Sequence, residues 1–252
     1  MNIDYTKPLS EEFIRENQDK VDWHYISSNQ KLTEEFIREF KNKINWFRIA
    51  EYQKLNENFI REFQTKFGWY YISKYQILSE KFIKEFHYKI SWHIISAKQK
   101  LSEKFIREFK DKVDWHYVSI YQELSENFII EFKDKVYWDS ISAYQNLSEN
   151  FIQEFQDKVD WCRISYYQKL NENFIRKFQH KIDWTNISYY QKLSKNFIKE
   201  FQNKIDWKSL LVKYNYSLIK FNNKFIIKSD NYCSDLLDFP ELIELALRLI
   251  SL

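Results

Sequence analysis

The sequence predicts an all-α fold: a right-handed α-solenoid of nine 23-residue helix-turn-helix repeats with a small C-terminal cap. Three observations predict it. All nine tryptophans lie 23 residues apart, at Trp23, Trp46, Trp69, Trp92, Trp115, Trp138, Trp161, Trp184 and Trp207. A leucine recurs at the same period, from Leu9 and Leu32 to Leu193, without an insertion. Glycine occurs once and proline twice, which argues against turn-rich β architecture and glycine-dependent phosphate loops. The repeats occupy 9–215, after a leader at 1–8 and before a capping segment at 216–252.

Each unit opens with that leucine and then a helix-capping residue, as at Ser10, Thr33, Asn56 and Ser79. In the fifth unit Leu101 and Ile106 have the spacing of a hydrophobic staple around the cap. Phe105, Phe109 and Val113 continue the apolar stripe at intervals of four, so a first helix of about three turns is expected. Its other side carries Glu103 with Arg107 and Glu108 with Lys112, spaced as ion pairs within one helix. Each such pair stabilises by roughly 0.2–0.5 kcal/mol, and the plain reading is a solvated face.

A second cap, such as Asp22, Asn45, Asp114 or Asp183, precedes each tryptophan except Trp138, where Tyr137 stands. Trp115, Val118 and Gln122 then fall on one side of a short second helix. The segment from Trp115 to Gln122 also suits a strand, but the cap and the three-residue spacing favour the helix. Neither helix persists alone at such lengths. Stacking therefore supplies the partner surface, with the tryptophans of successive units expected to meet in one dry core. On that basis Trp115→Ala should cost about 3–5 kcal/mol. Tyr52, Tyr75, Tyr121, Tyr144, Tyr167 and Tyr190, near the end of the second helix, are read as structural. The glutamine that follows is expected to satisfy backbone groups at the link into the next unit.

The ends differ from the middle. Asn17 replaces the phenylalanine found at Phe40, Phe63 and Phe86, as suits a first unit facing water. The pattern fades after Trp207, and the stretches 218–221 and 224–227 flank Asn222 and Asn223 as a β-hairpin would. A final helix near Pro240 should close the last core face; the alternative is a docking element for another protein.

Composition narrows the function. With 39 basic and 36 acidic residues the charge is nearly balanced, which does not favour nucleic acid. Cys162 and Cys233 form neither a disulfide framework nor a zinc spacing, and a reducing intracellular setting is expected. No signal or membrane-spanning pattern is present, so the expectation is a protein that is neither secreted nor membrane-bound. His93 and His116 occupy one position in neighbouring units, with Tyr70 and Asp139 at its equivalents. That is too thin a ligand set for a metal, so no cofactor is expected. No arrangement of nucleophile, acid and base stands out, so no enzyme is expected either.

What varies between units is more informative. Core and cap positions repeat almost letter for letter, whereas the positions just after each tryptophan and two after the Ile or Val change. The candidate binding surface is therefore His24, Tyr25, Phe47, Arg48, Tyr70, Lys74, His93, His116, Tyr117, Ile120, Asp139, Arg163, Tyr166 and Tyr189. Variable residues on a uniform scaffold are how solenoids recognise partners; drift on a solvated surface is the plain alternative.

The unit from Leu147 to Gln168, LSENFIQEFQDKVDWCRISYYQ, resembles 23-residue tandem repeats in proteins of unknown function from giant DNA viruses that infect amoebae. The resemblance covers residues 9 to about 213 and implies a viral origin and the host cytoplasm, but no activity. The expected function is a non-enzymatic scaffold that binds a protein partner. The alternatives are a helical repeat that binds single-stranded nucleic acid or a structural component of the virion.

Overall fold

The computed structural model describes residues 3–5, 7–213, 216–221 and 224–229. They form an α-solenoid of regularly paired short helices followed by a β-hairpin. The first helices of the repeats are α1 (Glu11–Glu16), α3 (Glu34–Glu39), α5 (Glu57–Glu62), α7 (Glu80–Glu85), α9 (Glu103–Glu108), α11 (Glu126–Glu131), α13 (Glu149–Glu154), α15 (Glu172–Lys177) and α17 (Lys195–Glu200). The second helices are α2 (Trp23–Asn29), α4 (Trp46–Tyr52), α6 (Trp69–Tyr75), α8 (Trp92–Lys98), α10 (Trp115–Tyr121), α12 (Trp138–Tyr144), α14 (Trp161–Tyr167), α16 (Trp184–Tyr190) and α18 (Trp207–Lys213). The chain divides into two compact halves, Met1–Gln122 and Glu123–Leu252. Both halves are built from the same repeat.

The predicted caps start the first helices. In all nine copies the side chain of the capping Ser, Thr or Asn accepts from the backbone N–H three residues on, as Ser102 does from Phe105. These helices are shorter than expected. Each has six residues and ends at position nine of the repeat, usually a phenylalanine that leaves the helical region, as Phe109 does at φ −111° and ψ 26°. A separate turn follows, closed by bonds such as those from the Lys112 and Val113 amides to the Phe109 carbonyl. The apolar period of four runs on through this turn, which is why the sequence reads as one longer helix.

That break also redirects the charges. Glu103 meets Arg107 within its helix at 3.5 Å, as expected. Lys112, however, is no longer a helical turn above Glu108, and Glu108 pairs instead with Lys84 of the preceding unit. The same link between units joins Arg15 to Glu39, Arg38 to Glu62, Arg61 to Glu85 and Arg176 to Glu200, at 2.7–2.9 Å. The glutamate after the first cap, present in every unit but the ninth, works across units too. Glu11 accepts from the Thr33 amide, Glu57 from Ser79 and Glu149 from Asn171, at 2.6–2.7 Å.

The tryptophans depart from expectation. Only Trp207 is fully buried; the other eight are half-buried. Indoles do not meet indoles among the described ring contacts. They pack on phenylalanines of the next unit instead, as Trp92 does on Phe105 and Phe109 at centroid distances of 6.3 and 5.0 Å. Every indole N–H, that of the buried Trp207 included, donates to the carbonyl five residues earlier, for example Trp92 to His87 at 3.0 Å. The exposed side is covered by a lysine of the next unit, with Lys89 over Trp69, Lys181 over Trp161 and Lys204 over Trp184 at 5.5–5.8 Å. The dry interior is made by the phenylalanine and isoleucine of the first helix and the Ile or Val of the second, such as Phe82, Ile83 and Ile95 at 0% exposure.

Successive second helices lie side by side, α2 against α4 and on to α10, and α12 against α14, α16 and α18. A small residue at the contact, Ser27, Ala50, Ser73 or Ser96, lets them approach. Ser27, Ser73, Ser119, Ser142, Ser165 and Ser188 donate to the carbonyl of their own tryptophan, as Ser73 does to Trp69 at 2.7 Å. The serine oxygen then accepts the N–H of the next unit's second cap, as Ser96 does from Asp114 at 2.9 Å.

At the N-terminus Tyr5 takes over that role, its hydroxyl accepting from the Asp22 amide at 2.7 Å. At the other end β1 (Tyr216–Phe221) and β2 (Lys224–Ser229) pair antiparallel, Leu218 opposite Ile227, as the hairpin reading expects. β1 runs close to α18. The helix expected near Pro240 lies outside the described residues.

Candidate functional site

The second helices build the site. Counted from the tryptophan, positions three, four and seven point inward, usually as Ile or Val, Ser and Gln, which leaves positions one, two, five and six as an outward strip within each half of the chain, except for the buried Ser140 and Ala143. The glutamine locks each helix in register. Gln99 is buried; its side-chain oxygen accepts from the Leu78 amide at 3.0 Å, and its nitrogen donates to the Ser73 and Gln76 carbonyls at 3.2 and 2.8 Å. Gln53, Gln76, Gln122, Gln168 and Gln191 repeat the arrangement. The expected backbone role is therefore present, but it reaches back into the preceding repeat. At the end of the series the half-buried Lys213 ammonium donates to the Gln191 carbonyl, and burial pushes its pKa down.

Most of the sequence-selected residues lie on the outward strip. His24, Phe47, Tyr70, His93, His116, Asp139, Tyr166 and Tyr189 are exposed, whereas Tyr25, Arg48, Lys74, Tyr117, Ile120 and Arg163 are half-buried. In the first half of the chain Tyr25 is spent on the leader, its hydroxyl donating to the Tyr5 carbonyl at 2.7 Å. Arg48 donates to His24 at 3.2 Å and pairs with Glu51 at 3.0 Å. Phe47 meets the edge of Tyr71 at 5.4 Å, and both crowd the lone glycine: a Cβ on Gly68 would lie 3.1 Å from each ring. Lys74 sits over Tyr70 and Tyr75 at 5.9 and 4.8 Å. His93 bonds Asp114 at 2.8 Å and packs on Tyr117 at 4.4 Å, and Tyr117 also meets His116. Among the described residues no three His, Cys, Asp or Glu come together as a metal would need.

In the second half Arg163 reaches Asp139 at 3.8 Å and Asp160 at 3.5 Å. Tyr166 and Tyr190 pack at a centroid distance of 4.0 Å, with Tyr167 4.3 Å from Tyr166 and Tyr189 4.7 Å from Tyr190. Hydrogen bonding to Tyr166 pushes the Tyr190 hydroxyl up to about 12.

One reading is corrected here. Tyr52, Tyr75, Tyr121, Tyr144, Tyr167 and Tyr190 are 38–58% exposed, so they belong to the outward strip rather than to the scaffold. Their near-constancy made them look structural. Their helical angle, next to the variable position five, was the signal that placed them outside.

No family model, curated protein or solved structure matches the chain. Among the described residues no helix is long and apolar enough to cross a membrane.

Proposed function

We propose that the protein is a non-enzymatic scaffold that binds a protein partner through the outward strip of its second helices. The observation that carries this reading is the concentration of exposed aromatic rings there. Phe47, Tyr52, Tyr70, Tyr121, Tyr144 and Tyr167 are each 49–58% exposed, on helices whose inward residues are nearly invariant. Tyrosine gives a large amphipathic contact for little conformational entropy and is enriched at interfaces. The first helices offer a different surface, where the charges are largely matched by links between units.

Single-stranded nucleic acid is the rival reading, because exposed tyrosines also stack on bases. Panning a random peptide display library separates the two. The protein should enrich a peptide family that a Tyr52→Ser/Tyr121→Ser/Tyr144→Ser/Tyr167→Ser variant does not retain. A labelled mixed-sequence single-stranded DNA should bind weakly at low and moderate salt alike. Tight DNA binding that falls steeply with salt, together with no peptide enrichment, would overturn the proposal.

A further inference from the structure

The last three second helices and their links carry basic residues and no carboxylate, three units in a row; 23–31, 69–77 and 92–100 share that composition in the first half of the chain. Residues 161–169, 184–192 and 207–213, which comprise α14, α16, α18 and the links after the first two, contain Arg163, Lys169, Lys192, Lys208 and Lys213 and no aspartate or glutamate. Three carboxylates adjoin them, and each is engaged locally. Asp160, Asp183 and Asp206 accept backbone N–H groups of the helices they cap, at 2.9–3.4 Å. Arg163 is neutralised by Asp139 and Asp160. Lys169, Lys192 and Lys208 are exposed, and none of the three forms an ion pair with a described residue. On the same two helices that precede Lys169 and Lys192, Tyr166, Tyr167, Tyr189 and Tyr190 form a closely packed aromatic group.

We propose that this tyrosine and lysine ridge on α14 and α16 docks an extended acidic segment of a partner protein. The inference rests on the scaffold reading above and names the chemistry of one part of that surface. Charge sets the sign of the partner: unpaired cations beside apolar rings favour carboxylates, with side chains that rest on the tyrosines. Lys169 and Lys192 hold equivalent positions in adjacent units, roughly 8–10 Å apart if neighbouring helices are packed as usual. An extended chain covers that span in about three residues, so the acidic groups recur about every third position.

The rings argue for peptide over nucleic acid. A base held between two rings needs a slot of roughly 7 Å, twice the ordinary contact distance. Here the rings already touch, at centroid distances of 4.0–4.7 Å, and Tyr189 stands edge-on to Tyr190.

The test uses the full chain and fluorescence anisotropy with three labelled probes: a peptide of four Glu-Leu-Ser triplets, its Gln-Leu-Ser counterpart, and a twelve-nucleotide oligo-dT. The glutamate peptide should bind at least about tenfold more tightly than the glutamine one, a gap that narrows as salt screens the charges. Lys169→Gln/Lys192→Gln should abolish most of that gap, whereas Lys81→Gln/Lys104→Gln, with the same charge change on the first helices, should preserve it. Circular dichroism confirms that both variants fold, as exposed unpaired lysines allow. Equal binding of the two peptides, binding of neither, or an unchanged gap in the Lys169/Lys192 variant overturns the inference. So does preferential binding of the oligonucleotide that depends on Tyr166 and Tyr190. Should display select neutral peptides that still need the outward strip, the acidic inference falls and the scaffold reading stands.

Discussion

Two small polar side chains hold neighbouring units together. Gln99 makes three buried hydrogen bonds, and Ser96 joins the Trp92 helix to the Asp114 cap. Removing the amide leaves a donor and two acceptors without water, and each such orphan costs about 1–3 kcal/mol. Gln99→Ala should therefore destabilise by about 3 kcal/mol or more in urea titrations; a loss below about 1 kcal/mol would show that water enters the link. Asp114 adds a pH dependence. Burial raises its carboxyl, but the bond from His93 and the Tyr117 and His116 amides outweigh that and hold it below its ordinary 3.8. A carboxyl depressed in the folded state contributes stability above its unfolded value, which is lost as pH falls through the folded value. Asp114→Asn should thus melt earlier than the parent at pH 6, with the gap closing as pH drops below about 4. A gap that is constant across that range would rule out the ionised carboxylate as its source.

Six- and seven-residue helices cannot persist by propensity, so their order comes from caps and from stacking. The tryptophan contributes to both the stacking and the edge. Trp92 covers Phe105 and Phe109, keeps one side half-exposed and anchors its nitrogen on the His87 carbonyl. The cost of Trp92→Ala should consequently fall below that of a fully buried ring, about 2–3 kcal/mol instead of 3–5. Chemical denaturation of that variant beside Phe82→Ala, whose ring is fully buried, checks the order; the phenylalanine should cost more. The ion pairs between first helices add little individually, because both partners remain substantially exposed.

In a repeat protein stability propagates between neighbours, so the ends decide where fraying starts. Tyr5 gives the first unit the hydroxyl that a preceding serine would supply, and its ring packs on Tyr25 at 4.6 Å. Tyr5→Phe keeps the ring and loses the acceptor. Hydrogen exchange should then quicken at α1 and α2 and stay unchanged at α8, a local effect that a fall in global stability alone would not produce. The hairpin beyond α18 shows that the array gives way there to another kind of element.

Local sequence determined the repeat, the first caps, the Asp and Asn second caps, the inward Ile and Phe positions and the hairpin, because each depends on neighbours within a few residues, whereas Ser91 stands at a second cap without a side-chain bond to the helix. The outward strip was half legible: variability pointed to Phe47, Tyr70 and Tyr166, while constancy disguised Tyr121 and Tyr167 as scaffold. Three things were decided only in three dimensions. The first helix stops at the Phe109 position, Glu108 pairs with Lys84, and the indoles settle at the rim. The first turns on the backbone angle of a single residue, and the other two on how a side chain meets a neighbouring unit, as Glu108 meets Lys84 and Trp92 meets Phe105 and Phe109. A 23-residue period says that such partners recur, but it carries no information about which side of the next unit they meet.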